Sequence, residues 1–232
     1  MKKFASIMLS LALFSSVVHP ISVSYASSTN QHIAETDIYN DVLNDRELAK
    51  YEGIDLYKGK DTISANTLEE KELYNTLINR ALESNGLESN PENISYIKSI
   101  LEDTKNYNQD DFYEVGVTTY SARSKQHGLI STAALGSALD VAISAALTGL
   151  GGASVRALIS SLGEAQAKRL VRSVVMDKVR NVLFRFGFST AATKFSGAIF
   201  NFLMGVTNPG GAIANYIDRN DLIPSNGYIE LT

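Results

Sequence analysis

Cysteine and tryptophan are absent from the 232 residues, and histidine occurs only as His19, His32 and His127. Without cysteine there can be no disulfide, no zinc–thiolate site and no thiol nucleophile. A serine–histidine–acid triad would need His32, in a polar tail, or His127, in a basic linker, and neither is a rigid scaffold. Walker, dinucleotide and metal-hydrolase patterns are missing. Asp218, Asn220 and Asp221 suggest a calcium loop, but Leu222 and Ile223 stand where an oxygen ligand and a glycine are required. Paired carboxylates could catalyse without histidine, yet no pair is distinguished from a solvated face. No enzyme, cofactor or metal is therefore expected, and tyrosine and phenylalanine are left as the large apolar anchors.

What is present is divided. Residues 27–121 carry 8 Lys/Arg against 19 Asp/Glu, whereas residues 122–232 carry 11 against 6, and the net charge of −4 hides the opposition. Opposite charge blocks attract, so an acidic first half beside a basic, apolar second half suggests a masked domain that is later released.

The chain opens Met1-Lys2-Lys3, continues apolar from Phe4 to Val18, and reaches Ser24-Tyr25-Ala26. A positive start, a short apolar run and small residues two apart are the parts of a secretory signal peptide, with cleavage after Ala26. His19-Pro20 breaks the run, which disfavours a retained spanning helix. Residues 1–26 are thus expected to direct export and the protein to be secreted.

In 27–121, Ile38, Val42, Leu43 and Leu48 fit a short helix. Thr67-Leu68-Glu69-Glu70 matches a capping box, with Leu73, Leu77, Ala81 and Leu82 on one face and Gly86 as the stop. Asn90-Pro91 reads as N-cap and first helical residue before Ile94, Ile97 and Leu101, a helix expected to run to Tyr107-Asn108. This acidic helical segment is either a pro-region or an N-terminal domain in its own right. Residues 112–121, rich in β-branched and aromatic side chains, are a short strand or an extended linker. Residues 122–128 are small and basic, and form a linker where Ala122, Arg123 and Lys125 could meet a processing protease.

Residues 129–150 hold one charge, Asp140, and are long enough at about 1.5 Å each to reach across a hydrocarbon core of about 30 Å. Leu135, Leu139, Val141, Ile143 and Leu147 would face lipid, and Ala133, Ser137, Ala142 and Ala146 would admit a neighbouring helix. An alanine-rich core helix of a soluble bundle has the same composition. Gly149-Leu150-Gly151-Gly152 reads as a hairpin turn. Beyond it, Val155, Leu158, Ile159, Leu162 and Ala165 share one helical face, and Val171, Val174, Val175, Val179, Val182 and Phe186 share another. The jump between stripes predicts either a kink near Gly163 or a helix contacting different partners along its length. Lys168, Arg169, Arg172, Lys178, Arg180 and Arg185 beside an apolar face suit a helix lying on an anionic bilayer, although a charge run is also what a solvated face looks like. Nucleic-acid binding is disfavoured by export and by the lack of any motif. Phe195, Ile199 and Phe202 mark a second apolar segment, 189–205, suited to a core helix or shallow insertion. Asn208-Pro209 starts a helix over 210–218, and Asn226-Gly227 predicts a turn between Ile223 and Tyr228, with Pro224 confining the strand before it to an edge.

The layout as a whole resembles precursors of secreted antimicrobial peptides of Gram-positive bacteria: a signal, an acidic pro-region and a cationic apolar product rich in glycine and alanine. Ile213-Ala214-Asn215-Tyr216-Ile217-Asp218, with Asn226-Gly227-Tyr228-Ile229, looks like the ending of some large cysteine-free bacteriocin products. The chain departs from short unmodified bacteriocins in lacking a double-glycine leader and in carrying a product as long as 122–232. The resemblance implies export, proteolytic release and permeabilisation of target-cell membranes, with an anionic bilayer, a processing protease and an immunity protein as partners. The expected fold is all-α, a small acidic helical region followed by an apolar, glycine-rich helical bundle at 129–232. The rival expectation is a soluble secreted or cell-wall-associated interaction protein whose apolar helices are simply its core.

Overall fold

Caps and apolar stripes set the helices, and a computed structural model, in which residues 46–102 and 130–230 are described, gathers them around one buried helix. The fold is all-α apart from a two-residue ladder. Helix α1 (Leu68–Ser84) begins at the expected capping box: Thr67 Oγ1 accepts from the Glu70 amide at 3.1 Å and Glu70 Oε2 accepts from the Thr67 amide at 3.1 Å. Lys58, joined by the Asn66 and Thr67 amides, holds the Glu70 carboxyl down at about 2. Helix α2 (Pro91–Glu102) starts where Asn90 Oδ1 accepts from the Asn93 amide at 2.8 Å. Its expected continuation to Asn108, the segment 112–121, the leader and the 122–128 linker lie outside the described residues.

A short strand β1 (Ile130–Ser131) leads into α3 (Thr132–Gly149), capped by Ser131 and buried over most of its length. Leu150 ends it, and Gly151, at φ +81°, takes the left-handed conformation that the turn needs. Helix α4 (Val155–Leu162) stops at Gly163, φ +82°, the first of the two outcomes that the shifted stripe predicts. Helix α5 (Glu164–Leu170) then runs through a single π-turn (Val171–Val175) into α6 (Met176–Arg185). The wider turn rephases the helix so that Ala167, Val171, Val175, Val179 and Val182 all stay buried.

Residues 189–205 do not form one segment. They divide into α7 (Ser189–Lys194) and α8 (Ser196–Gly205) at Phe195, whose ring sits edge-on to Tyr216 at 5.1 Å while Phe202 meets the same tyrosine at 5.6 Å. Helix α9 (Pro209–Asp218) follows, with Asn208 as its cap. The Asn226-Gly227 turn is present, with Gly227 at φ +84°, but no strand precedes it: Leu222 and Ile223 are exposed at 67 % and 45 %. Strand β2 (Tyr228–Ile229) pairs instead antiparallel with β1, Ile130 opposite Ile229. The Asp218 carboxylate explains this outcome, because it accepts from the Asn226 and Gly227 amides at 3.2 and 3.3 Å and staples the turn to the end of α9.

Helices α1, α2, α6 and α9 pack against α3, and a single apolar cluster joins Leu73, Leu77 and Ile97 of the acidic half to Leu135, Leu139 and Ile213 of the basic half. Among the described residues the change of charge is therefore not a boundary in packing.

Candidate functional site

The α3–α9 crossing is closed by glycines. A Cβ on Gly210 would lie 2.4 Å from the Gly136 carbonyl oxygen and 2.5 Å from the Asp140 nitrogen, and one on Gly136 would lie 2.9 Å from the Gly211 Cα. Backbone meets backbone here, and the approach brings the first turn of α9 onto the one charged side chain of α3. Pro209 has no amide hydrogen and the Asn208 Oδ1 cap takes that of Gly211 at 2.8 Å, so the Gly210 amide donates to Asp140 Oδ1 at 2.6 Å. Asn85, at the C-terminal end of α1, completes the seat. Its Nδ2 donates to Asp140 Oδ2 at 2.8 Å and to the Ala81 carbonyl at 2.8 Å, and Asn208 Nδ2 reaches the Ser84 carbonyl at 2.9 Å. Three elements thus converge on one carboxylate.

Burial pushes the Asp140 carboxyl up to about 7, against the opposing pull of Asn85 and the Gly210 and Gly211 amides. Asp140, 8 % exposed, is among the residues that line a cleft of about 340 Å³ walled by Leu77, Ile143, Leu147 and Leu203, with Arg80, which pairs with Glu47, and Arg156 also at the lining.

The basic run separates into two faces. Arg169 and Arg172 are exposed, Arg172 stacked over Phe200 at 4.5 Å, and Lys168 is exposed and paired with Glu164 one turn away. Arg180 is half-buried. Lys178 and Arg185 face the acidic half instead of solvent, contrary to a bilayer-facing role in this closed form. Lys178 Nζ donates to the Lys60 carbonyl at 2.7 Å and lies 4.5 Å from the Tyr57 ring. Asn181 Nδ2 donates to Asp61 Oδ1 at 2.9 Å. Arg185, only 6 % exposed, donates to the Ile100 and Asp61 carbonyls, both at 2.6 Å. Ile100 lies in the last turn of α2, so the guanidinium supplies the cation and the donors that a helix C-terminus lacks. Lys178, Asn181 and Arg185 form a clasp between the halves.

Of the residues expected to enter lipid, Leu135, Leu139, Val141, Ile143, Leu147 and Ile199 are buried, while Phe195 and Phe202 are half-buried against Tyr216. The processing residues Ala26, Ala122, Arg123 and Lys125 lie outside the described residues. No local pattern marks Asn85 and Gly210 as the donors to Asp140, and the glycine pair directly after Asn208-Pro209 is the signal in the sequence for the close approach of α9 to Gly136. Among the described residues no group of three acidic or histidine side chains is placed to hold a metal. Neither protein-family models, curated proteins nor solved structures give a match to the chain.

Proposed function

We propose that this chain is an exported, membrane-active protein of the secreted antimicrobial kind, held in water as the closed bundle and active when α3 reaches lipid. The observation that supports the reading is α3 itself, which among the described residues is the helix long and apolar enough to cross a membrane. Eighteen residues at about 1.5 Å span about 27 Å, close to a hydrocarbon core. Enclosure by α1, α2, α6 and α9 allows such a helix to travel in water, and the exposed Arg169 and Arg172 beside Phe200 offer a first contact with anionic headgroups. A cut within 122–128 would not by itself free the product, since the shared core and the clasp would still hold the two pieces together.

Full-length protein should sediment with phosphatidylglycerol vesicles and not with phosphatidylcholine vesicles. Replacing Arg169 and Arg172 by Gln should weaken that partition by about 2 kcal/mol, roughly 30-fold. Equal sedimentation with both vesicle types would sink the reading. The burial of α3 in a core shared by both halves favours a second reading, a soluble secreted or cell-wall-associated interaction protein, for which neither vesicle type binds.

A further inference from the structure

We propose that the Asp140 carboxylate, seated between the first amides of α9 and Asn85 beside the cleft, is a proton-operated latch that keeps α3 with α9 and out of lipid while ionised and frees α3 of its last charge when protonated. The latch is a regulation of the membrane activity inferred above, and its release arm rests on that reading. Its geometry consists of a 2.6 Å bond to the Gly210 amide, a 2.8 Å bond to Asn85, and a crossing with no Cβ between the helices. Bonds to an ionised carboxylate from a helix amino end are charge-assisted, so drawing ionised α3 from α9 into hydrocarbon would strand a carboxylate without them. Protonation weakens those bonds and leaves 132–149 without a charge.

Asp140 lies at the wall of the cleft and is 8 % exposed. The charged groups around it are Arg80 of α1 with its partner Glu47, and Arg156 of α4; residues 195–217, which include α8, the α8–α9 connection and most of α9, carry no Asp, Glu, His, Lys or Arg. Burial outweighs the Asn85 side chain and the Gly210 and Gly211 amides and places the titration near neutrality. Because the closed form holds a proton that an opened chain in water gives up, this group's contribution to stability is full at the acid end, below the ordinary carboxylate value. It declines as pH rises towards about 7. Hydrocarbon favours the protonated form more strongly still, so entry into lipid is favoured below neutrality and opposed above it.

The full chain, Asp140→Asn and Glu230→Gln, which neutralises the other carboxyl that burial raises to about 7, are compared in two measurements. In lipid-free buffer the unfolding midpoint should fall between about pH 5 and pH 7 for wild type and fall less steeply in Asp140→Asn, which loses one of the two raised carboxyls, while Glu230→Gln keeps the share that belongs to Asp140. With dye-loaded phosphatidylglycerol vesicles, wild type should leak at least about tenfold faster near pH 5.5 than near pH 8, and Asp140→Asn should leak fast at both. Should Asp140→Asn fail to fold, the Asp140 carboxyl carbon followed by NMR in wild type decides: an inflection near neutrality supports the latch and one near 4 overturns it. A slope in Asp140→Asn as steep as wild type's, or one that vanishes in Glu230→Gln, overturns the latch. Leakage equal at the two pH values overturns the latch but leaves the membrane reading. A slope specific to Asp140 with no leakage at any pH overturns the membrane reading and the release arm, and supports the titrating contact.

Discussion

Gly210→Ala should destabilise the protein by about 3 kcal/mol and lower its unfolding midpoint by roughly 10 °C. The added methyl group would meet the Gly136 carbonyl oxygen and the Asp140 nitrogen at 2.4 and 2.5 Å. Neither atom belongs to a side chain that can swing aside, so relief requires α9 to back away from α3. That movement lengthens the Gly210–Asp140 bond and opens the apolar interface in which Ile213 and Ala214 are buried. The control has the opposite sign. Gly197, inside α8, has nothing within 4 Å of an added Cβ, and alanine there should raise stability by up to about 1 kcal/mol through helix propensity alone. Equal effects in thermal unfolding would mean that the crossing is not closed by glycine contact.

Arg185→Met should cost about 3 kcal/mol, because two charge-assisted bonds to the Ile100 and Asp61 carbonyls vanish while the buried volume is roughly kept. The loss falls where the halves are joined. The last turn of α2 loses its donors, and the loop at 57–61 keeps only Lys178 and Asn181 as partners in the clasp. Urea unfolding should show the fall in stability, and limited proteolysis should cut that loop sooner than in wild type. Arg169→Met, at an exposed position of the same basic run, should stay within about 0.5 kcal/mol of wild type. A match between the two variants would leave the clasp without an energetic role.

The contrast between those arginines shows where sequence reasoning succeeded and where it stopped. Capping chemistry is local, so Thr67, Asn90-Pro91 and Asn208-Pro209 announced three helix starts. Gly151 and Gly163 announced two breaks for the same reason, a backbone conformation that other residues avoid. Which face of a basic helix meets solvent is not local. Lys178, Asn181 and Arg185 lie on the side turned to the acidic half, and the partners of that side are 85 to 124 residues distant along the chain. The attraction expected from opposite charge blocks is realised mostly through backbone carbonyls, with Asp61 as the carboxylate at the clasp, and charge counting does not see carbonyls.

Asp140 could be picked out as the lone charge of an apolar helix, but its donors Asn85 and Gly210 are 55 and 70 residues away. The break at Phe195 coincides with an edge-on contact to the Tyr216 ring, and the pairing of Ile130 with Ile229 follows a turn that Asp218 holds. Each of these misses is a long-range contact overriding a local pattern.

Dye release from phosphatidylglycerol vesicles by residues 122–232, set against the full chain at equal concentration near pH 5.5, tests most directly whether the closed bundle hides a membrane-entering helix. Removal of α1 and α2 uncovers the flank of α3 that they pack against, together with the Lys178 and Arg185 side chains now engaged with the acidic half. The piece should then release dye at least about tenfold faster than the full chain. Equal release by the two, or none by either, would contradict the masking of α3 by the acidic half.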